Sequence, residues 1–502
     1  MLAAEITLLL LVGFSLRFLR LGYSDFQGDE INAICHASEY ESLLSFARFL
    51  LDQRKGPVQY LITCAYSLLD PAFSSELALR LPFAVASGLG LAAFYLLVWR
   101  WFGKRTAALA GFLLATNGLF VAFGRIVQYQ SVVLLTTTAS LLLLTLAIDR
   151  PRWRLAGLYA SATLAAVGLL THFDAVFALL PLAVLAVLWQ RAYRQAQGRG
   201  WPHLAAATVW AGLLVLPFYL AYARRLGPFQ LAYWGDRVTA APTDTLGLLR
   251  FYNPGPIVWV YLIAAALAVF QLQRTRGWVL TLAWLLPPLV FMEFVFHDSR
   301  THVYTYLLPL MIVAGHGLAG ALAWARSYAG DVPGRIAQVV VGMVVLGLAW
   351  ASFAVLIDPQ PEYPWSPKRV LWWQADGGYL QGTFGFPYNR QWRAIGQWFE
   401  TAAGEAPIVV TNEKLVITTF YLPPDSTIHY RSRVQPESLA PGDQVYVLVV
   451  ERPQSWVDGL WGWPLAHWSE EFTAVEQFSR TDGGLQASVY RLTADQIAEY
   501  FP

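Results

Sequence analysis

Charge is scarce in this chain of 502 residues: only 14% are Asp, Glu, Lys or Arg, where soluble domains carry roughly 25%. With 21 Trp, 24 Tyr and 29 Phe to bury, the polar surface that a water-soluble globule needs is missing. A surplus of positive charge is also absent. Lys+Arg 35 against Asp+Glu 33 gives a net +2, and without a clustered basic face a nucleic-acid partner is excluded. Cysteine is almost lacking. Cys35 and Cys64 make neither a disulfide framework nor a zinc quartet; one bridge between them is possible though no pattern supports it, and the reading favours buried apolar residues. Internal repeats and low-complexity segments are not evident.

What the chain has in abundance is apolar stretches of membrane-spanning length. Eleven are read, over residues 5–21, 78–98, 106–123, 131–148, 155–171, 174–189, 204–222, 256–272, 278–296, 303–323 and 336–357. The first lacks a small-residue cleavage site after Leu16, Arg17 and Phe18 and is taken as an anchor. Basic residues fall in alternate short loops: Arg100, Lys104 and Arg105; Arg150, Arg152 and Arg154; Arg191, Arg194 and Arg199; Arg274 and Arg276; Arg326 and Arg335. The positive-inside rule places those loops and the N-terminus in the cytoplasm. Residues 23–77, the junctions 124–130, 172–174 and 297–302, the loop 223–255 and everything after about 358 are then extracytoplasmic. The expected architecture is a polytopic α-helical protein of the cell (plasma or inner) membrane, with about 11 transmembrane helices in residues 1–357.

From Asp358 the apolar runs shorten to strand length, at 408–410 and 445–450, and a helical stretch covers 390–403. Residues 358–502 are expected to form an extracytoplasmic α/β domain. Trp372, Trp373 and Trp392 at its start are expected at a membrane interface or a docking surface.

The ionisable residues of the outer face gather at a few places. The first external loop reads Tyr23-Ser24-Asp25-Phe26-Gln27-Gly28-Asp29-Glu30, a glycine turn followed by an acidic pair at the start of an amphipathic helix. Acids there suit the helix dipole, so capping and chemistry both fit. Lys55, one of four lysines, precedes Gly56-Pro57 at a loop-to-helix junction. Its compact ammonium suits a phosphate oxygen, or a lipid headgroup. Arg125, Gln128 and Gln130 lie at one short outer junction, His172 and Asp174 at another, and His297, Arg300, His302 and Tyr304 at a third. Ionisable groups at membrane depth are costly unless they face water or one another, so these junctions are expected to line one polar pocket, with Glu293 pairing to one of its arginines.

The order of Asp29-Glu30, Lys55-Gly56-Pro57, Arg125 and the Tyr304 to Pro309 segment resembles the C-superfamily (GT-C) of membrane glycosyltransferases that use polyprenyl-phosphate sugars, and in particular the protein O-mannosyltransferase and lipid A aminoarabinose transferase family. The resemblance implies an inverting transfer of a sugar from a polyprenyl-phosphate donor to an extracytoplasmic lipid, glycan or protein acceptor in cell-surface glycoconjugate synthesis. It implies Asp29 as the base, with Glu30 orienting it or binding a metal if one is used, and Lys55, Arg125, Arg300 and His302 as donor-phosphate ligands. Gln128, Gln130, His172, Asp174 and Tyr304 would line the substrate pocket. Relatives often carry Lys-Pro-Pro where this chain has Lys-Gly-Pro, and an acid where it has Gln128 or Gln130. An amide is neither a base nor a strong metal ligand, so no cofactor is required by the reading and a divalent cation is left open, with His172 and Asp174 able to compensate.

Two other classes use many spans: a lipid-linked sugar transporter or flippase, and a non-catalytic partner in a surface-glycan assembly complex. Transporters combine internal repeats with broken helices at mid-membrane, and neither is read here.

Overall fold

The computed structural model describes residues 2–500 apart from 254, 274, 364–365, 371–372, 376–383, 431–438, 441, 455–469 and 481–482. The chain divides into two compact units. One comprises residues 1–19, 35–74 and 79–357, the other residues 20–34, 75–78 and 358–502.

The first unit is helical. Among the described residues, eight helices are long and apolar enough to cross a bilayer: Glu76–Phe102, Gln130–Asp149, Pro151–Thr171, Phe173–Ala196, Trp201–Arg224, Arg276–Phe294, Arg300–Tyr328 and Asp331–Leu356. Helices satisfy every backbone group internally, which is what hydrocarbon demands. The other three apolar stretches of the sequence form shorter helices: Ile6–Phe18, the pair Lys104–Thr116 and Gly118–Phe123, and Gly255–Val269. The expectation of unbroken helices fails at Asn117, where the third stretch is interrupted. Asn117 accepts the amide of Leu119 at 3.1 Å, and the Gly118 amide donates to Asn253 Oδ1 at 2.7 Å. A Cβ on Gly118 would run into the carbonyl of Tyr252. The break is thus closed by side-chain bonds in place of the lost helical ones.

Helices Gln130–Asp149 and Arg154–Thr171 form a tight hairpin. Ser140 Oγ donates to Ser161 O at 2.8 Å, and Ser161 Oγ donates to Ser140 O at 2.9 Å. Such small polar residues hold helices together where no hydrophobic drive acts between them. The hairpin fixes the height of Thr171 and of the junction that follows it.

The segment 35–74 carries an amphipathic helix, Leu43–Leu51, with Leu43 and Leu44 exposed, and a second helix, Val58–Ser67. Of the two readings of the cysteines the less favoured one holds: Cys35 and Cys64 are joined in a disulfide, with Cα atoms 4.8 Å apart, inside a cluster with Tyr60, Tyr40, Phe46, Phe49 and Leu50. The two residues are buried as expected. Their pairing follows from the return of Val58–Ser67 against residue 35, which spacing alone does not reveal.

The second unit is built on a mixed sheet. Strands β1 (Lys368–Val370) and β2 (Trp373–Ala375) form a hairpin. Strands β3 (Ile408–Thr411), β4 (Thr427–Tyr430), β5 (Gln444–Val450), β6 (Ala474–Ser479) and β7 (Leu485–Thr493) form a five-stranded sheet in the order β4-β3-β5-β7-β6. The β3 strand runs parallel to β4 and β5, while β7 is antiparallel to β5 and β6. Residues Val445–Val450 are all buried, as a central strand covered on both faces requires. Val410, Val447, Val449, Tyr490 and Leu492 share one core. Helix Trp392–Ala402 precedes β3, and helix Leu415–Tyr421 links β3 to β4. Trp392 corrects the docking-surface expectation. It is fully buried and stacks on Tyr421 within the unit. Trp372 lies outside the described residues.

Candidate functional site

In the helical unit the residues that converge come from four junctions distant in sequence. Pro57 caps helix Val58–Ser67, and Gly56 before it adopts φ +121°. A Cβ on Gly56 would overlap the carbonyl oxygen of Leu170 and come within 2.7 Å of that of Thr171. Only glycine permits both the left-handed backbone and this approach. Lys-Gly-Pro is therefore the form of the motif that lets this loop rest on the end of the helix preceding His172.

The consequence is a stack of unlike residues. Lys55 Nζ stands 5.7 Å from the centre of the Tyr129 ring, and Tyr129 lies parallel to the His172 imidazole at 3.7 Å. His172 Nδ1 accepts the backbone amide of Asp174 at 3.2 Å. Asp174 Oδ2 lies 3.3 Å from that same nitrogen and 2.8 Å from His302 Nδ1. Tyr304, one helical step beyond, is buried in the electrostatic field of the Asp174 carboxylate. Of the eleven sequence candidates, Lys55, His172, Asp174, His302 and Tyr304 are thus brought together, with Tyr129 as the linking residue that sequence reading passed over. A tyrosine between two glutamines carries no signal until the fold sets it against a histidine.

The remaining candidates have other settings. Arg125 is buried and donates to Leu16 O at 3.0 Å, in the mutual repulsion of Arg17 and Arg80. Gln128 and Gln130 are buried beside it in sequence. Arg300 is exposed and donates to Asp298 Oδ1 at 2.9 Å. Among the described residues Glu293 pairs with no arginine: its carboxylate, on the π turn Phe291–Val295, accepts the hydroxyls of Thr245 and Tyr306.

Asp29 and Glu30 belong to the second unit, on a single helical turn, Gly28–Ile31, in place of the longer amphipathic helix expected. Glu30 is fully buried and accepts the amide of Gln27 at 3.1 Å, so it caps the turn. Asp29 is partly exposed, and its charge acts on the ammonium of Lys414, which lies over Gly28. Burial lowers the Lys414 ammonium, and the carboxylates of Glu413 and Asp29 oppose that shift.

The turn is held by its own unit. Phe26 is buried and its amide donates to Tyr421 Oη at 2.7 Å. Arg390 donates to Phe26 O at 3.1 Å and forms a buried ion pair with Glu413 at 2.6 Å. Asp25 accepts the Arg390 amide, yet burial pushes its carboxyl up to about 6. Glu362, bonded by Tyr23 Oη at 2.6 Å, is pushed up to about 7 for the same reason. Nothing in the local pattern separates Asp25 from Asp29; only its burial does.

Residues 55–219, which begin at Lys55, match the family model described as dolichyl-phosphate-mannose-protein mannosyltransferase. The chain is 30% identical over 302 residues to the undecaprenyl phosphate-alpha-4-amino-4-deoxy-L-arabinose arabinosyl transferase of Pseudomonas aeruginosa (strain UCBPP-PA14), an alignment covering 57% of this chain and 52% of that protein. The Pseudomonas paraeruginosa counterpart matches at the same identity and coverage. The chain thus spans about half the length of the curated relatives it matches. Among solved structures it shares its fold with ArnT from Cupriavidus metallidurans bound to undecaprenyl phosphate, with a TM-score of 0.53, 15% identity and 97% of each chain covered. It also resembles the archaeal oligosaccharyltransferase AglB from Archaeoglobus fulgidus, with a TM-score of 0.52 and 11% identity over 98% of this chain and 76% of that one. The resemblance read from Asp29-Glu30 and Lys55-Gly56-Pro57 and these matches point to the same group of proteins.

Proposed function

We propose that the chain is an integral-membrane glycosyltransferase that moves a sugar, with inversion, from a polyprenyl-phosphate donor to an extracytoplasmic acceptor. The observation that carries this reading is the placement of Lys55 beside Tyr129 and His172 at an outer junction, enforced by Gly56. A compact cation held at a membrane surface suits the phosphate of a lipid carrier. In the proposed step an acceptor hydroxyl oxygen attacks the sugar C1, its proton passes to the Asp29 carboxylate, and the C1–O bond breaks to release polyprenyl phosphate. Negative charge grows on the departing phosphate, so fixed cations lower the barrier. Lys55 carries that role first. Arg125 follows it and Arg300, paired to Asp298, ranks last, while His302 would meet the phosphate through its ring N–H.

The reading extends to topology: about eleven crossings, a cytoplasmic N-terminus, and residues 358–502 as an extracytoplasmic α/β domain. The disulfide between Cys35 and Cys64 supports an oxidising location for the segment 35–74.

The deciding experiment is transfer from a labelled polyprenyl-phosphate sugar by the full-length protein in detergent or proteoliposomes. Asp29→Asn is expected to abolish transfer while donor binding persists, and Lys55→Ala to raise the donor KM. Transfer unchanged in Asp29→Asn removes Asp29 as the base. Counterflow of the labelled donor across proteoliposomes without an acceptor would favour the transporter class instead.

A further inference from the structure

The end of helix Phe173–Ala196 remote from His172 and Asp174 carries a cavity of its own, with a volume of about 450 Å³. At about 1.5 Å per residue it stands roughly 30 Å from Asp174, the depth of a bilayer's hydrocarbon. Its walls are Val187, Gln190, Arg191, Arg194, Arg199 and Trp201. Positions 187, 190, 191 and 194 recur at helical spacing, so one stripe of the helix brings both of its arginines to the same wall. Arg199 comes from the turn that follows. Gly198 before it adopts φ +94°, and a Cβ on Gly200 after it would lie 2.4 Å from Gln190 Oε1 and 3.0 Å from the Trp189 ring. The two glycines let this turn close tightly on Gln190.

Three guanidinium groups share the cavity with no acid. The sequence has no Asp or Glu between Asp174 and Asp236, and among the described residues no ion pair or side-chain hydrogen bond engages Arg191, Arg194 or Arg199. A helix C-terminus favours a cation in its last turn, which accounts for Arg194 and not for the group. Basic loops also orient a chain in its membrane, but orientation requires neither a cavity nor an open buried acceptor. Gln190 supplies that acceptor: it is 8% exposed, and its Oε1 has no hydrogen-bond partner among the described residues. Such an atom is costly unless a donor reaches it. Beside the cavity, Val187, Val209 and Leu213 are exposed apolar side chains.

We propose that this cavity binds an anionic phospholipid whose headgroup carries two phosphates joined by a glycerol, with Arg191, Arg194 and Arg199 on the phosphate oxygens and Gln190 Oε1 accepting the glycerol hydroxyl. Phosphate oxygens are the acceptors that guanidinium forks require. A zwitterionic headgroup would bring its ammonium among three cations, whereas two phosphates balance most of their charge. The acyl chains then run along Val187, Val209 and Leu213. Basic pockets between membrane helices are suited to such lipids. The bound lipid ties the end of Phe173–Ala196 to the start of Trp201–Arg224, a role that does not rest on the transferase reading.

The test titrates full-length protein, delipidated in detergent, with tetraoleoyl cardiolipin, and reads native mass spectra and the unfolding temperature. One cardiolipin per chain is expected, with dioleoylphosphatidylglycerol at least tenfold weaker and dioleoylphosphatidylethanolamine not retained. Arg191→Gln/Arg194→Gln and, separately, Arg199→Gln should each weaken cardiolipin binding at least tenfold and remove the rise in unfolding temperature that it gives the wild type. Arg100→Gln/Arg105→Gln, which alters two exposed arginines of another basic loop, should bind as the wild type does. Should Arg191→Gln/Arg194→Gln fail to fold, Arg199→Gln and the lipid preference of the wild type decide. Undiminished binding by the cavity variants, equal loss in the Arg100/Arg105 control, or equal retention of phosphatidylethanolamine overturns the site in favour of general surface charge. Displacement of the lipid by an equal concentration of inorganic pyrophosphate overturns it in favour of a soluble anion. Sugar transfer is not measured, so failure here is distinct from failure of the transferase reading.

Discussion

Gly56 rests on the carbonyl of Leu170 with no room for a side chain between them. That contact sets the position of Lys55 against Tyr129 and, through Tyr129, against His172.

Substituting Gly56 should therefore act on donor binding before anything else. Gly56→Ala faces both the overlap with Leu170 and a left-handed backbone costing about 1–3 kcal/mol. The expected result is a lower unfolding temperature and a roughly tenfold rise in donor KM, equivalent to about 1.4 kcal/mol. Gly56→Pro, which copies the Lys-Pro-Pro of relatives, should be worse, because proline fixes φ near −65° where this position needs +121°. A Gly56→Pro variant with wild-type KM would show that the loop does not depend on this contact.

The disulfide closes a loop with a sequence separation of 29 residues. Cys35→Ser should cost about 2–4 kcal/mol by releasing the unfolded chain from that constraint, read as a drop in unfolding temperature that dithiothreitol reproduces in the wild type. In intact cells, reduction followed by a membrane-impermeant maleimide should label Cys35 and Cys64 if residues 35–74 are external. Labelling only after membrane permeabilisation would reverse the proposed topology.

Asp25 and Glu362 make the second unit sensitive to pH. Burial raises the first from 3.8 to about 6 and the second from 4.5 to about 7, so the folded state holds protons that the unfolded state has already lost. Linkage then gives stability that is fully present below about pH 4 and declines as pH rises through 6 to 7. Unfolding followed by fluorescence of the second unit should show a higher midpoint at pH 5 than at pH 8. Asp25→Asn, which keeps an oxygen for the Arg390 amide, should flatten that slope. A slope of the opposite sign would mean that both carboxyls are held ionised in the folded protein.

Arg390 and Glu413 form a buried pair whose members are 1% and 0% exposed. Arg390→Met alone should cost about 3–5 kcal/mol, because Glu413 would be left charged and unpaired. The double variant Arg390→Met/Glu413→Leu should cost less than the sum of the two single changes, read from a denaturation cycle. Since Arg390 also holds the Phe26 carbonyl, Arg390→Met is expected to lower transfer through disorder of the Asp29 turn. Equal transfer at wild-type rate would separate the turn from this anchor.

Much of the architecture was written locally. Apolar runs of spanning length dictate helices wherever they occur, since hydrocarbon offers no partner to a backbone amide. The runs at 408–410 and 445–450 became strands of one sheet, and the helix read at 390–403 spans Trp392–Ala402. Local pattern was silent at Asn117, where a helix breaks because Asn253, 136 positions away, supplies the compensating acceptor for the Gly118 amide.

By itself the sequence determined which residues could do chemistry: Asp29, Lys55, His172, Asp174 and His302 stand out because ionisable groups are costly at a membrane edge. Only the tertiary structure decided their company. It spent Glu30 on a cap, turned Arg300 to Asp298, joined Cys35 to Cys64, and set His302 beside Asp174. The physical reason is range: helical propensity and hydropathy are properties of neighbouring residues, whereas a hydrogen bond or a shared ligand depends on where the packing of whole helices delivers two distant atoms.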